Sequence, residues 1–333
     1  MFRGVINSFE VFQSYYVENL NRPPSDISWI GSFEIFLLFF IGTFTGRLTD
    51  AGLFYPVAIV GSILVVVAIG ITACGSATGG VLFPGMVRGL LPRIGFGWTM
   101  RAIGFAQIAS LAIALASLKP RTPPRKTGRF VEWSAFKELE YTFYAIGSFM
   151  YFLGAYFAFF FAAAYGRDIQ GMAYTTSLNL LLIMSGVGII GRILPNYFAD
   201  RIGTLTVFVP TAAAGALVMF CWIAVVSPAG LYVWAAMSGI TLGGIQSMFP
   251  SALASLTADP SKQGTRIGMV FTIVSFAALT GSPIAGALVS ALQGRYIGAQ
   301  LFAGACLTLG TGFVAVAREV KRRKGGGEMW AKV

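Results

Sequence analysis

The chain has 333 residues, of which 56% are hydrophobic and only 11% charged, with a mean hydropathy of +0.74 and a net charge of +11. A soluble domain carries about 25% charged residues, so the composition excludes one. The sequence holds no histidine, which removes the usual general base and the commonest metal ligand and argues against a hydrolytic or metal-dependent site.

Apolar runs of about 18 residues or more recur from end to end, each long enough to cross about 30 Å of hydrocarbon. Alternating ten-residue strands, the mark of a membrane barrel, do not occur. The first run, 4–20, is interrupted by Asn7, Glu10 and Gln13, which leaves no clean apolar core for a cleavable signal peptide. With Ser14, these residues fall at helical spacing and form one polar stripe, and a polar stripe inside a membrane bundle faces a cavity. A second run spans 28–48 and carries Glu34. It ends on Gly46-Arg47-Leu-Thr-Asp50-Ala-Gly52, which leads at once into the long run 57–91, followed by 97–118.

Residues 119–137 are rich in Pro, Lys and Arg and read as a linker. Beyond it, runs at 141–165, 171–198, 204–227, 229–256, 265–292 and 295–317 predict six more spans, and 318–333 is a basic tail. The aromatic stretch FMYFLGAYFAFFF in the first of these six is expected to be mostly lipid-facing mass. Cys74, Cys221 and Cys306 lie within apolar runs and read as small packing residues, with no disulfide or metal site.

The linker holds Lys119, Arg121, Arg125, Lys126, Arg129 and Lys137, and the tail holds Arg318, Lys321, Arg322, Arg323, Lys324 and Lys332, together half of the 24 basic residues. Loops assigned to the other side hold one each (Arg22, Arg167, Arg295) or none. This asymmetry predicts that linker and C-terminus face the cytosol, and the clusters suit anionic lipid rather than nucleic acid.

Two landmarks repeat in order. GRLTDAG is echoed by Asn196-Tyr-Phe-Ala-Asp200-Arg201-Ile-Gly203, and GSATGG at 75–80 by GSPIAG at 281–286. Matched pairs argue for two homologous halves. Neither Gly-rich stretch has the Lys of a phosphate loop, so close helix packing is expected there. Asp200 follows Asp50 by 150 positions, whereas Gly281 follows Gly75 by 206. The first half thus lacks about 56 residues, one span with its flanks.

Arg192 lies eight positions before Asp200, about 12 Å along a helix from the membrane edge. An arginine at that depth faces a cavity, and its planar fork suits a carboxylate. Ser185 is two turns away on the same face, Gly188 and Gly191 keep the helix slim, and Gln246, one turn before Pro250, is a similar polar candidate. Tyr156, with Tyr151, either lines the cavity or packs with other aromatics. Asp50 and Asp200 each stand where they can cap the following helix. Either can also pair with a basic neighbour, Arg47 or Arg201, as a lock that holds one conformation and releases in another.

Together SDISWIGSFEIFLLF, GRLTDAG, ACGSATGGVLFPGMVR, IGFGWTMRAIGF, GRILPNYFADRIG and DPSKQGTRIGMVFTIVSFAALTGSPIAGALVS resemble the fungal monocarboxylate-transporter-like branch of the major facilitator superfamily, over almost the whole chain. The resemblance implies an all-α polytopic membrane protein of two pseudo-repeated helical bundles, with about 10 spans here instead of 12. The division would be 1–118 (an incomplete bundle of about four spans), linker 119–137, six-helix bundle 138–317 and tail 318–333. The fourth span, the ends of spans three and five and the start of the first would be missing.

The resemblance further implies that Gly46, Arg47, Asp50 and Gly52, with Asp200, Arg201 and Gly203, form a conformational gate. It also implies that Arg192 binds an anionic substrate and takes part in proton coupling. Animal members carry an Asp where this chain has Gly188 and a Lys near Asn7, so Glu10 or Glu34 would supply the titrating carboxylate; burial raises a Glu pKa toward neutrality.

The expected function is secondary transport of a small organic anion, a monocarboxylate, with a proton, across the plasma or vacuolar membrane. Arg192, Asn7, Gln13, Ser185, Gln246 and Tyr156 would line the site, with no cofactor and no metal. The alternatives left open are a non-transporting remnant or sensor on the same scaffold, and a carrier of another solute such as riboflavin.

Overall fold

The computed structural model describes residues 131–257, 259 and 262–324, together with scattered helical residues between 26 and 40 and between 85 and 109. Asn7, Glu10, Gln13, Glu34, Gly46, Arg47, Asp50 and Gly52 lie outside the described residues.

Each apolar run of the second half folds as a helix: α1 (Leu139–Asp168), α2 (Tyr174–Ile202), α3 (Thr204–Cys221), α4 (Pro228–Ser255), α5 (Gln263–Ala291) and α6 (Ile297–Lys324). Short 3-10 turns cover Trp133–Lys137 and Trp222–Ala224. Five of the six helices are long and apolar enough to cross a membrane. The other, α4, is as long, but Gly, Ser, Thr and Gln dilute it. Burial explains why that is tolerated: every residue from Thr241 to Phe249 is buried, so this helix shows little surface to lipid.

The helices run alternately up and down, so α1, α3 and α5 start at the end where α2, α4 and α6 finish. Connections are tight. Gly203 alone separates α2 from α3 and adopts φ +101°, a backbone region closed to most side chains. At the start of α4 the Ser227 hydroxyl accepts the Gly230 amide at 3.2 Å, and Pro228 occupies the first helical position, where its missing N–H costs nothing.

α1 is the central helix, packing on α5, α6, α2 and α4. Its stretch FMYFLGAYFAFFF is therefore core, and the expectation of lipid-facing mass is corrected: Tyr151, Phe152, Tyr156, Phe157, Phe159, Phe160 and Phe161 are all buried. It is this burial by neighbouring helices, not the apolar composition, that makes α1 core. Phe152 meets Phe249 at 4.9 Å between ring centroids, and Phe157 meets Trp222 at 5.1 Å. Trp222 stacks on Trp234 at 4.0 Å, whose indole donates to the Val218 carbonyl at 2.9 Å. From the first half, Phe39 reaches Phe152 at 5.7 Å and Phe271 at 5.4 Å, and Phe36 reaches Phe276 at 5.4 Å. Gly281 of the GSPIAG motif faces the Leu153 carbonyl of α1, too close for any side chain. That motif is a packing element.

The end at which α1 starts is charged. Arg266, 5% exposed at the start of α5, holds Glu138 at 2.5 and 2.8 Å and Glu132 at 3.1 and 3.3 Å, and Lys262 joins Glu132 at 2.9 Å. Glu132 and Glu138 flank the 3-10 turn that leads into α1, so this segment is clamped to α5.

The expected basic tail also departs from a solvated run, because α6 continues as one helix to Lys324. Arg318 donates to Thr206 of α3 at 3.1 Å, Lys321 donates to the carbonyl of Ser255, the last residue of α4, and Lys324 grips Glu140 of α1 at 2.7 and 2.8 Å. Glu319 takes Arg322 and Arg323. Among the described residues these bases stitch helix ends together, while Arg323 and Lys324 stay largely exposed.

Candidate substrate site

α2 and α4 cross in backbone contact because glycine lines both sides of the seam. A side chain at Gly191 would strike the Ile240 carbonyl, and one at Gly239 the Met184 carbonyl. At Gly243 and Gly244 a Cβ would lie 2.8 Å from the carbonyls of Gly188 and Gly191. Small residues allow this close approach, the main source of helix attraction where lipid is as apolar as leucine.

Arg192 sits in this seam, about 15 Å from the charged end of α2 by helical rise. Its residue is 2% exposed. One guanidinium nitrogen, Nη1, rests over Gly188 and Gly243, where added Cβ atoms would lie at 2.8 and 3.2 Å. The other, Nη2, donates to Oε1 of Gln246 at 3.4 Å. Two residues expected independently at the site are thus brought together across two helices. The glycine at 188, where animal relatives are expected to carry Asp, makes room for the guanidinium.

One turn on, Asn196 Nδ2 donates to the Arg192 carbonyl at 2.6 Å and to Ser247 Oγ at 2.8 Å, and Ser247 Oγ donates to the Gly244 carbonyl at 2.9 Å. Consecutive residues of α4 therefore hold the two ends of Arg192, Gln246 the guanidinium and Ser247, through Asn196, the backbone. Sequence reasoning placed Asn196 only in the GRLTDAG echo. Its spacing of four from Arg192 was the signal that it shares the same helix face.

The remaining expected residues fall elsewhere. Ser185 is buried on α2, about one turn beyond Gly188. Tyr156 is buried on α1, its ring 6.0 Å from Phe152 and 6.2 Å from Phe160, the aromatic-packing alternative. Asp200 does not cap α3: it is exposed in the last turn of its own helix, and the cap position is Gly203, with no side-chain bond to the helix. α2 runs two residues past Asp200 and turns within one, which leaves the carboxylate on the wrong side. Arg201 lies 4.4 Å from the Tyr197 ring of the same helix and donates to its hydroxyl.

No protein-family model matches the chain. An MFS-type transporter of Gibberella zeae is 45% identical over 364 residues, covering 95% of this chain and 82% of that protein. An agnestins efflux protein of Paecilomyces divaricatus is 30% identical, covering 95% and 83%, and an aspyridones efflux protein of Emericella nidulans 29%, covering 92% and 72%. Among solved structures, a nucleoside transporter aligns with TM-score 0.55 over 96% of this chain and 98% of its own, and the E. coli fucose:proton symporter with 0.53 over 95% and 97%, both at 14% identity. These two share the fold, and with the first relative 45% identical over most of its length, the chain belongs to the MFS-type transporters of the major facilitator superfamily.

Proposed function

We propose that this transporter moves a small organic anion, a monocarboxylate in its simplest form, and that Arg192 is the anion's anchor. The observation that carries the reading is a deeply buried guanidinium whose Nη2 rests on a neutral amide, Gln246, across a seam of two helices. The 3.4 Å bond to an amide oxygen is weaker than what a carboxylate offers Arg, two charge-assisted bonds in a matching plane. Arg192 is closed off here, so the anion gains it when the two halves rock into another arrangement. Glu10 or Glu34 would carry the coupled proton. The basic residues of linker and tail favour a cytosolic C-terminus in the plasma or vacuolar membrane.

The names of the agnestins and aspyridones efflux proteins favour export over uptake. A second reading, a non-transporting remnant, is favoured by the match to the Gibberella zeae relative: it runs over 364 residues, more than the 333 of this chain. An alignment longer than the chain is what an internal deletion would give.

The test is flux of radiolabelled monocarboxylates across proteoliposomes, in both directions, for the wild type and Arg192→Ala. Loss of a buried charge's partner predicts a fall of roughly 30-fold or more in the variant. Wild-type flux in Arg192→Ala overturns the assignment, and a wild type no faster than empty vesicles for any acid favours the remnant.

A further inference from the structure

Asn196 has chemistry that the anchor alone does not use. Pro195 has no N–H, so the carbonyl of Gly191, which that N–H would have bonded in a regular helix, loses its partner within α2. A proline here would leave Arg192 on a loosened stretch of helix. The next residue braces the helix at the following carbonyl without replacing the lost bond. Asn196 bonds the following carbonyl, that of Arg192, at 2.6 Å, and the same amide reaches Ser247 on α4 at 2.8 Å. Ser247 also lies 3.5 Å from the Arg192 carbonyl. The result is a three-membered polar bridge, Arg192 carbonyl, Asn196 amide and Ser247 hydroxyl, spanning two helices one turn below the guanidinium.

We infer that Asn196, acting with Ser247, is a positioning residue that fixes the height and direction of the Arg192 guanidinium against α4 and so sets affinity for the anion. This rests on the reading of Arg192 as the anchor. Asn196 itself touches no substrate. An Arg head placed about 1 Å away cannot give both fork bonds to one carboxylate, so the bridge tunes binding through geometry. Gln246 and Ser247 are adjacent in sequence, so any slide of α4 along α2 moves both contacts together. The bridge thereby ties the site to the packing of α2 on α4.

The experiment uses the full chain in lipid nanodiscs and proteoliposomes, with Asn196→Ala, Asn196→Ser, Ser247→Asn, the double variant N196S/S247N and Arg192→Ala. A serine at 196 keeps a bond to the carbonyl four residues back but is too short to reach α4, and the double variant returns the amide from the opposite helix.

The substrate-independent readout is the rate at which phenylglyoxal modifies Arg192, followed by peptide mass spectrometry. Exposed Arg201 serves as the internal control. Asn196→Ala is expected to raise the Arg192 rate about fivefold or more with the Arg201 rate unchanged, and the double variant to restore it to about twofold of wild type. In transport of radiolabelled pyruvate, Asn196→Ala is expected to raise KM about tenfold with Vmax within about twofold.

A wild-type modification rate in Asn196→Ala, or a double variant as reactive as Asn196→Ala, overturns the inference. So does an unchanged KM where Arg192→Ala abolishes transport. Unaltered transport in Arg192→Ala removes the anchor reading and with it the effect on affinity, while the modification rates still decide whether Asn196 positions the guanidinium.

Discussion

Arg192 and Gln246, 54 positions apart on helices that cross in backbone contact, meet through a single 3.4 Å hydrogen bond between a guanidinium and a neutral amide. The choice of amide over carboxylate matters. A carboxylate at this position would hold the guanidinium in a charge-assisted pair that an incoming anion must displace, whereas the amide is a weaker, neutral acceptor. Gln246→Glu is nearly isosteric and creates that internal pair. Expected is a protein as thermally stable as wild type or more so, with anion flux reduced by about tenfold or more. Thermal unfolding and proteoliposome flux measured on the same preparation check it; wild-type flux would show that Arg192 is not the group the anion must win.

The glycines of the seam separate by what stands opposite them. At Gly191 a methyl group meets the Ile240 backbone, which cannot yield without moving α4, so Gly191→Ala is expected to destabilise the protein by about 1–3 kcal/mol. At Gly188 the methyl meets Nη1 of Arg192, the far end of a flexible side chain, at 2.8 Å. Gly188→Ala should displace the guanidinium instead, weakening anion affinity severalfold with a smaller loss of stability. Melting temperature and KM for the two variants, side by side, should move in opposite proportion.

These two residues also mark how far the sequence could be read. Six helices were legible because each apolar run is as long as a bilayer is thick, and Arg192 and Gln246 stood out because polar side chains are costly in such runs. Their meeting was not legible, since helix rotation and crossing are set by glycines whose role is visible only once two backbones touch. The aromatic stretch of α1 read as lipid-facing because composition is the same for a helix surrounded by lipid and one surrounded by other helices. Asp200 read as a cap because spacing locates a residue near a helix end but does not say on which side of Gly203 the helix stops. The intramolecular partners of the tail's basic residues, Glu140, Ser255 and Thr206, were not legible because they are remote in sequence.

Arg266 is the strongest structural charge among the described residues, held by two carboxylates and shielded from water. Removing it leaves Glu132 and Glu138 facing each other without their shared cation. Arg266→Ala is therefore expected to cost about 3–5 kcal/mol, by analogy with other broken buried pairs. Arg266→Lys should recover only part, because an ammonium cannot bridge two carboxylates as a planar fork does. Arg323→Ala, at a largely exposed pair with Glu319, is the control and should leave stability close to that of the wild type. Denaturation midpoints in detergent order the three variants, and an Arg323→Ala as damaging as Arg266→Ala would remove the clamp.

The same clamp predicts a pH dependence of definite sign. Burial alone would push the Glu132 carboxyl up, but hydrogen bonds from Arg266 and Lys262 outweigh it and hold the group at about 2, below its ordinary 4.5. A carboxyl depressed on folding contributes stability that is complete above its unfolded value and is lost as pH falls toward the folded one. The contribution should therefore be constant from neutral pH down to about 5 and vanish between 4.5 and 2. Glu132→Gln removes the charge at every pH. The melting temperature of the wild type should exceed that of this variant by a fixed margin above pH 5, and the two curves should converge as the medium is acidified below 4.5. A margin that closes already between pH 7 and 5 would mean that Glu132 titrates near neutrality and that Arg266 does not hold it. A margin that stays closed throughout would mean that the ion pairs contribute nothing to the fold, and the anchoring of the segment before α1 would then have to come from the apolar contacts of Ala135 and Phe136 with the core.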